Sequence, residues 1–195
     1  MQHQLTPYST GIESFAWWEN AFTEEELNWL QHNARQATQQ AQVGGNPDKD
    51  SLAQIRRSQV SWLSKNTETA WVFEKLANVV SALNSQCFRF DLTGFGEPMQ
   101  LTNYSSSNKG TYGWHQDYGQ KNRASRKLSI VLQLSDPNEY EGGNLQLLTS
   151  GTATNIKKQR GLVVAFPSYI LHQVTPVTQG QRQSLVTWVS GPEFK

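Results

Sequence analysis

The chain has 195 residues, 36% of them hydrophobic and 11% aromatic, which is enough apolar bulk for one buried core and makes no demand for a second domain. A formal charge of only +1 excludes the global field that draws proteins to nucleic acid or to anionic membranes, so the basic clusters at Arg56-Arg57, Lys121 to Lys127 and Lys157 to Arg160 read as solvated loops. The lone Cys87 excludes an internal disulfide. No run approaches the ~18 apolar residues of a membrane span, and the first residues lack the pattern of a signal peptide, so a cytoplasmic protein is expected.

An apolar strand is expected near Ile12 to Trp18. Phe22-Thr23-Glu24-Glu25-Glu26-Leu27 then reads as a complete helix start: Thr23 caps, Glu26 reciprocates, and Phe22 staples onto Leu27. Leu27, Leu30, Ala34, Ala37 and Ala41 recur at helical spacing and carry this helix to about Gln42, with His32 on the opposite, solvent face. Gly44 to Asp48 stops it and opens a polar loop to about Gln54. Ser58 to Leu63 alternates as a half-buried strand does. A second helix runs from Thr67 or Thr69 to Leu83, burying Val72, Leu76, Val79, Val80 and Leu83.

Beyond this the period changes to two. Strands are predicted at Cys87 to Leu92, Pro98 to Tyr104, Tyr112 to Gln116, Leu128 to Leu134, Asn144 to Leu148, Gly161 to Phe166, His172 to Pro176 and Arg182 to Ser190. Eight such strands suit a double-sheet jelly roll, with the two helices against the outer face of one sheet. The expected organisation is therefore a single domain over residues 1–195, mainly β with buttressing helices. Helical support covers about 23–83 and the jelly-roll core about 87–191.

The chemistry concentrates in Trp114-His115-Gln116-Asp117. Residues two apart at the end of a strand project to one side, so His115 and Asp117 can converge on an ion. Two histidines and one carboxylate form a facial ligand set that leaves open positions for substrate and dioxygen. Of the other histidines, His3 lies near the terminus and His32 faces solvent, which leaves His172 as third ligand by elimination. The alternative for the His115-Asp117 pair alone is a surface turn. Arg182 and Ser184 share one face of the last strand. An arginine facing into a barrel is costly unless a carboxylate meets it, and no inward acid is evident nearby. An external dicarboxylate would meet that cost through a two-pronged bond to Arg182 and the Ser184 hydroxyl. An exposed strand arginine is the alternative.

In register, Asn103-Tyr104, Gly110 to Asp117, Arg126 to Leu134, Tyr140-Glu141-Gly142-Gly143-Asn144-Leu145, Phe166-Pro167, His172 to Val177 and Arg182 to Trp188 resemble the prolyl-4-hydroxylase-like branch of the 2-oxoglutarate/Fe(II) dioxygenases. The likeness extends more loosely to Ile55-Arg56 and Trp62. It implies a distorted jelly roll, or double-stranded β-helix, with Fe(II) at the open end of the barrel. It also implies 2-oxoglutarate and dioxygen as co-substrates, succinate and CO2 as products, and ascorbate as a reductant. It implies that Tyr104 hydrogen-bonds the oxo-acid and that Gln133 stands where some relatives carry a second co-substrate tyrosine. Arg126, Trp188 and, more loosely, Arg56 become contacts for a proline-containing peptide, and Val43 to Gln54 becomes a loop over substrate. Ser58 stands where relatives carry the acid that anchors this loop, so peptide specificity does not transfer.

Other readings stay open. The same triad serves hydroxylation of a free amino acid or another small molecule. Nucleic-acid demethylases of the superfamily resemble a pattern with a second arginine where this chain has Trp188, and the neutral charge argues against them. A zinc hydrolase would need a general base and gives Arg182 no purpose. A jelly-roll binding module would have no use for three ligands and Arg182 together.

Overall fold

Thr23 is the N-cap of the first helix, α1 (Glu24–Arg35), and the predicted capping box is present in both directions: Glu26 donates its backbone N–H to Thr23, and Thr23 donates its own to the Glu26 carboxylate at 2.8 Å. Phe22 and Leu27 are buried in the same cluster, as the staple requires. The helix ends at Arg35, however, not near Gln42. Gln39–Gln40 instead forms a short strand, β2, beside Gln59–Val60, and the Ala41 N–H donates to the Ser58 carbonyl. Ala37 and Ala41 are buried as the periodicity required, but they reach the core from an extended segment. A free sheet edge offered backbone partners that the helix's weak last turn could not match.

The computed structural model describes residues 11–41, 55–119 and 125–193, so His3 and the Val43 to Gln54 loop lie outside the described residues. Before α1 comes β1 (Ala16–Trp18); after it come β3 (Arg56–Arg57), β4 (Gln59–Leu63) and the second helix, α2 (Ala70–Leu83). The latter buries Val72, Phe73, Leu76, Val79, Val80 and Leu83. The strand predicted over Cys87 to Leu92 is not formed. The chain continues from α2 through a π-helical turn at Asn84–Phe88 and reverses at Arg89, whose φ is +57°. The Asn84 side chain then binds both the N–H and the carbonyl of Phe90 (3.0 and 2.9 Å), occupying the groups a strand would need for pairing.

The remaining strands are β5 (Gly94–Phe95), β6 (Met99–Ser105), β7 (Thr111–His115), β8 (Arg126–Gln133), β9 (Tyr140–Gly142), β10 (Leu145–Leu148), β11 (Ala153–Asn155), β12 (Val163–Pro167), β13 (His172–Val174) and β14 (Val177–Ser190). They form two sheets. The larger runs β1-β12-β8-β14-β6-β4-β2, with β5 and β9 also on β14, and the smaller runs β11-β10-β13-β7-β3. This is the mainly β jelly roll expected, with short additional edge strands that were too brief to show as periodic runs. Among the described residues no helix is long and apolar enough to cross a membrane.

Two apolar layers follow from this arrangement. Leu30, Ala34, Val72, Leu76 and Val80 pack with Leu101, Ile130, Leu132 and Leu185, so the helices do cover one face of the larger sheet. Leu145, Leu147, Val164, Phe166, Val174 and Val177 fill the space between the sheets. That inner space also receives the polar residues described next.

Candidate metal centre

In the smaller sheet β7 pairs antiparallel with β13, and His115 lies directly opposite His172, so the two imidazoles leave the sheet as neighbours with ring centroids 4.1 Å apart. Asp117 is not on the strand, which ends at His115. It sits two residues on, in a bend whose N–H groups at Asp117 and Tyr118 both donate to the Ser168 carbonyl (3.0 and 2.9 Å). The two residues that the spacing pairs, His115 and Asp117, do come together, although backbone hydrogen bonds and not the strand hold the second. The Nε2 atoms of His115 and His172 stand 3.7 and 3.4 Å from the Asp117 carboxylate oxygens, and the three ligand atoms lie within 4.8 Å of one another.

Each ligand has its own fixture. Nδ1 of His115 meets the Gly113 carbonyl at 2.8 Å, and Nδ1 of His172 meets the Ile170 carbonyl at 3.0 Å. A carbonyl only accepts, so each Nδ1 carries a hydrogen, and in the neutral ring each Nε2 presents a lone pair to the centre. Asp117 accepts a 2.7 Å hydrogen bond from the fully buried Ser129 hydroxyl, which also contacts Ser168 at 3.1 Å. Burial and the neighbouring His172 push the His115 pKa down to about 3. Burial alone would raise the Asp117 pKa, yet the two histidines outweigh it and hold the carboxyl well below its usual range. His172 moves up from its ordinary value, because Asp117 outweighs its own burial. A cation entering here would therefore compete with a proton on the His172-Asp117 pair.

The donor set fits a first-row metal. Bonds of about 2.0–2.2 Å place adjacent ligand atoms roughly 3 Å apart, a small contraction from the distances seen. Two neutral imidazoles and one carboxylate suit iron(II) with positions to spare.

Arg182 on β14 is 2% exposed. Its Nη1 donates to the Ser184 hydroxyl at 3.3 Å, while Nε and Nη2 are buried with no hydrogen-bond partner. Its guanidinium lies 5.5 Å from the centroid of Tyr104, its register partner on β6. Such orphaned donors cost about 1–3 kcal/mol each, more when charged, and an arriving carboxylate would remove that cost. Gln133, opposite Ser184 on β8, gives an amide hydrogen to the Lys157 carbonyl at 2.5 Å.

The predicted substrate contacts are placed otherwise than as free groups. Arg126 is 7% exposed, donates from Nε and Nη2 to the Glu97 carboxylate (2.7 and 2.5 Å), and lies 3.7 Å from the Trp188 ring centroid. Its Nη1 reaches the Asp117 carbonyl at 3.4 Å, so the stack adjoins the metal ligands. Arg56 donates to Ser58 at 2.9 Å and covers Tyr112 at 4.4 Å, and Tyr112 stacks on His115 at 3.5 Å. Arg56 thus backs a ligand. Ser129, Ser168, Tyr140 and Glu97 received no role from the sequence. Tyr140 alone had a signal, its place before Gly142-Gly143.

Residues 99–190 match the family model of the 2OG-Fe(II) oxygenase superfamily. A PKHD-type hydroxylase of Prochlorococcus marinus is 41% identical over 87 residues, 44% of this chain and 39% of that protein. The match thus spans about two fifths of the length of such relatives. Among solved structures, a prolyl-4-hydroxylase of Pseudomonas putida superposes with a TM-score of 0.70 at 19% identity, over 92% of this chain and 93% of that one. A prolyl hydroxylase of Trichoplax adhaerens, in complex with a hypoxia inducible factor peptide fragment, gives 0.74 at 18% identity, over 91% of this chain and 83% of its own.

Proposed function

We propose that this chain, whose residues 99–190 match the family model of the 2OG-Fe(II) oxygenase superfamily, is an iron(II)- and 2-oxoglutarate-dependent hydroxylase acting on a proline within a peptide or protein. The observation that carries this reading is the pairing of a three-residue cluster with a buried arginine whose Nε and Nη2 have no hydrogen-bond partner, in the same inter-sheet space. Bound there, iron(II) and the oxo-acid would supply an oxidant that replaces a C–H hydrogen with hydroxyl, with dioxygen consumed and 2-oxoglutarate decarboxylated to succinate. His115, Asp117 and His172 would hold the metal. Arg182 and Ser184 would orient the distal carboxylate of the oxo-acid, and the ring of Tyr104 would wall its chain. The Arg126-Trp188 stack beside Asp117 would form the wall that meets substrate.

Peptidyl proline is favoured because the solved enzymes sharing this fold include prolyl hydroxylases, one of them with a peptide bound. One observation favours a small molecule as second reading: the Arg126 guanidinium is already held by Glu97 and is nearly buried, leaving little of it for an extended chain. Mass spectrometry after turnover with iron(II), ascorbate and 2-oxoglutarate separates the two. Added oxygen on the proline of a peptide library supports the first. Succinate release that peptides never stimulate, but a free amino acid does, would replace it with the second.

A further inference from the structure

Arg182 is not the only cation near the Gly142-Gly143 turn. The segment between β11 and β12 carries Lys158 past the same place and is pinned twice: Gln133 donates to the Lys157 carbonyl at 2.5 Å, and Lys158 Nζ donates to the Gly142 carbonyl at 2.6 Å. Lys158 Nζ also lies 4.5 Å from the ring centroid of Tyr140. Gly142 and Gly143 make a turn with φ of +69° and +57°, and this turn rests directly on the arginine. A Cβ at Gly143 would come within 3.1 Å of Arg182 Cδ, 2.9 Å of Val177 and 3.3 Å of Tyr140. The buried Tyr140 hydroxyl in turn borders the guanidinium, which works against the rise in its pKa that burial causes. Lys158, Tyr140, the Gly142-Gly143 turn and Arg182 therefore share one wall.

Two like charges that flank one wall repel, and an anion joining them would remove that repulsion. Among the described residues no carboxylate hydrogen-bonds Arg182, and Glu141 only partly compensates Lys158. Burial first, and then Arg182, hold the lysine below its ordinary pKa. Its ammonium has three hydrogens, and the Gly142 carbonyl takes one of them.

We propose that Lys158 is a second cationic anchor for the distal carboxylate of the oxo-acid, closing over the pocket that Arg182 floors and making the site selective for a 2-oxo dicarboxylate over a 2-oxo monocarboxylate. This rests on the reading of Arg182 as the oxo-acid site. Gln133, by bracing Lys157, acts as a positioning residue for the lysine. The turn needs glycine because both residues hold positive φ, a Cβ at Gly142 would meet the Pro176 carbonyl oxygen at 2.1 Å, and one at Gly143 would crowd Val177 and Arg182.

Calorimetric titration of the Mn(II)-loaded protein reads this without turnover. The ligands are 2-oxoglutarate and 2-oxopentanoate, which keeps the keto-acid end and lacks the distal carboxylate. Lys158→Gln is expected to weaken 2-oxoglutarate binding roughly tenfold, the worth of one charge-assisted hydrogen bond, and to leave 2-oxopentanoate unchanged. Lys158→Arg should restore most of the affinity. Unchanged 2-oxoglutarate affinity in Lys158→Gln overturns the proposal. So does equal weakening of both ligands, the mark of a lysine that merely staples the Gly142 turn. Failure of the underlying reading looks different: wild-type protein would then not bind 2-oxoglutarate, or Arg182→Met would bind it as tightly as wild type.

Discussion

The two clustered imidazoles are aimed by carbonyls two residues before them, and the carboxylate between them is aimed by one serine. Ser129→Ala removes a buried 2.7 Å hydrogen bond from Asp117 without touching a ligand, so metal affinity should fall about 10–100-fold while the fold persists, as metal titration with circular dichroism would show. Arg182→Met replaces an orphaned buried cation with an apolar chain of similar length. Stability in the absence of oxo-acid should rise or hold, while the concentration of 2-oxoglutarate needed for half-maximal turnover should rise at least tenfold. A lower melting temperature together with an unchanged requirement would contradict the role given to it. At this scale the sequence was most legible. His115, Asp117, His172 and Arg182 belong to residue types too costly to bury without purpose, so type and spacing exposed them. Ser129 was silent because a serine in a strand is ordinary, and only the fold brings it to Asp117 across 12 positions.

Local rules were legible where they are strong and failed where tertiary contacts compete. The start of α1 was readable because Thr23 and Glu26 satisfy one another within four residues, and Thr23→Ala should cost about 1 kcal/mol in urea denaturation. Glu26 also bonds Lys75 at 2.8 Å across to α2, and that bond, with those at Thr23, brings its pKa below the ordinary value despite burial. A depressed carboxylate stabilises above its unfolded pKa, and that contribution is lost as pH falls through the folded one. The stability gap between wild type and Glu26→Gln should therefore be open at pH 7 and close on acidification below about pH 4. A gap independent of pH would assign the effect to packing. The end of α1 was unreadable because Ala37 and Ala41 are buried whether the segment is helical or extended, and pairing of β2 with β4 decided between them. The missing strand over Cys87 to Leu92 has the same kind of cause, since its apolar alternation is real but the Asn84 amide takes the backbone groups of Phe90.

Across the whole molecule, two sheets closing on an inner layer bring together residues no window of sequence contains. Period-two runs after Met99 and helical stripes before Leu83 were enough to place helices on one face of a jelly roll. The wall around the site was not readable: Glu97 reaches Arg126 across 29 positions, and Lys158 reaches Gly142 across a strand pair. The Glu97 contact turns Arg126, expected to await a peptide, into a group already held within the chain. The central claim is that one inter-sheet space joins His115, Asp117 and His172 to Arg182 as an iron and 2-oxoglutarate site. Its most direct test is succinate formation under air by wild-type protein given iron(II), ascorbate and 2-oxoglutarate, compared with Asp117→Ala and His172→Ala folded to the same extent. Succinate from wild type, abolished in both variants and on omission of iron, is the predicted result; succinate release that persists in either variant, or its absence from wild type in the presence of a hydroxylated peptide product, would contradict it.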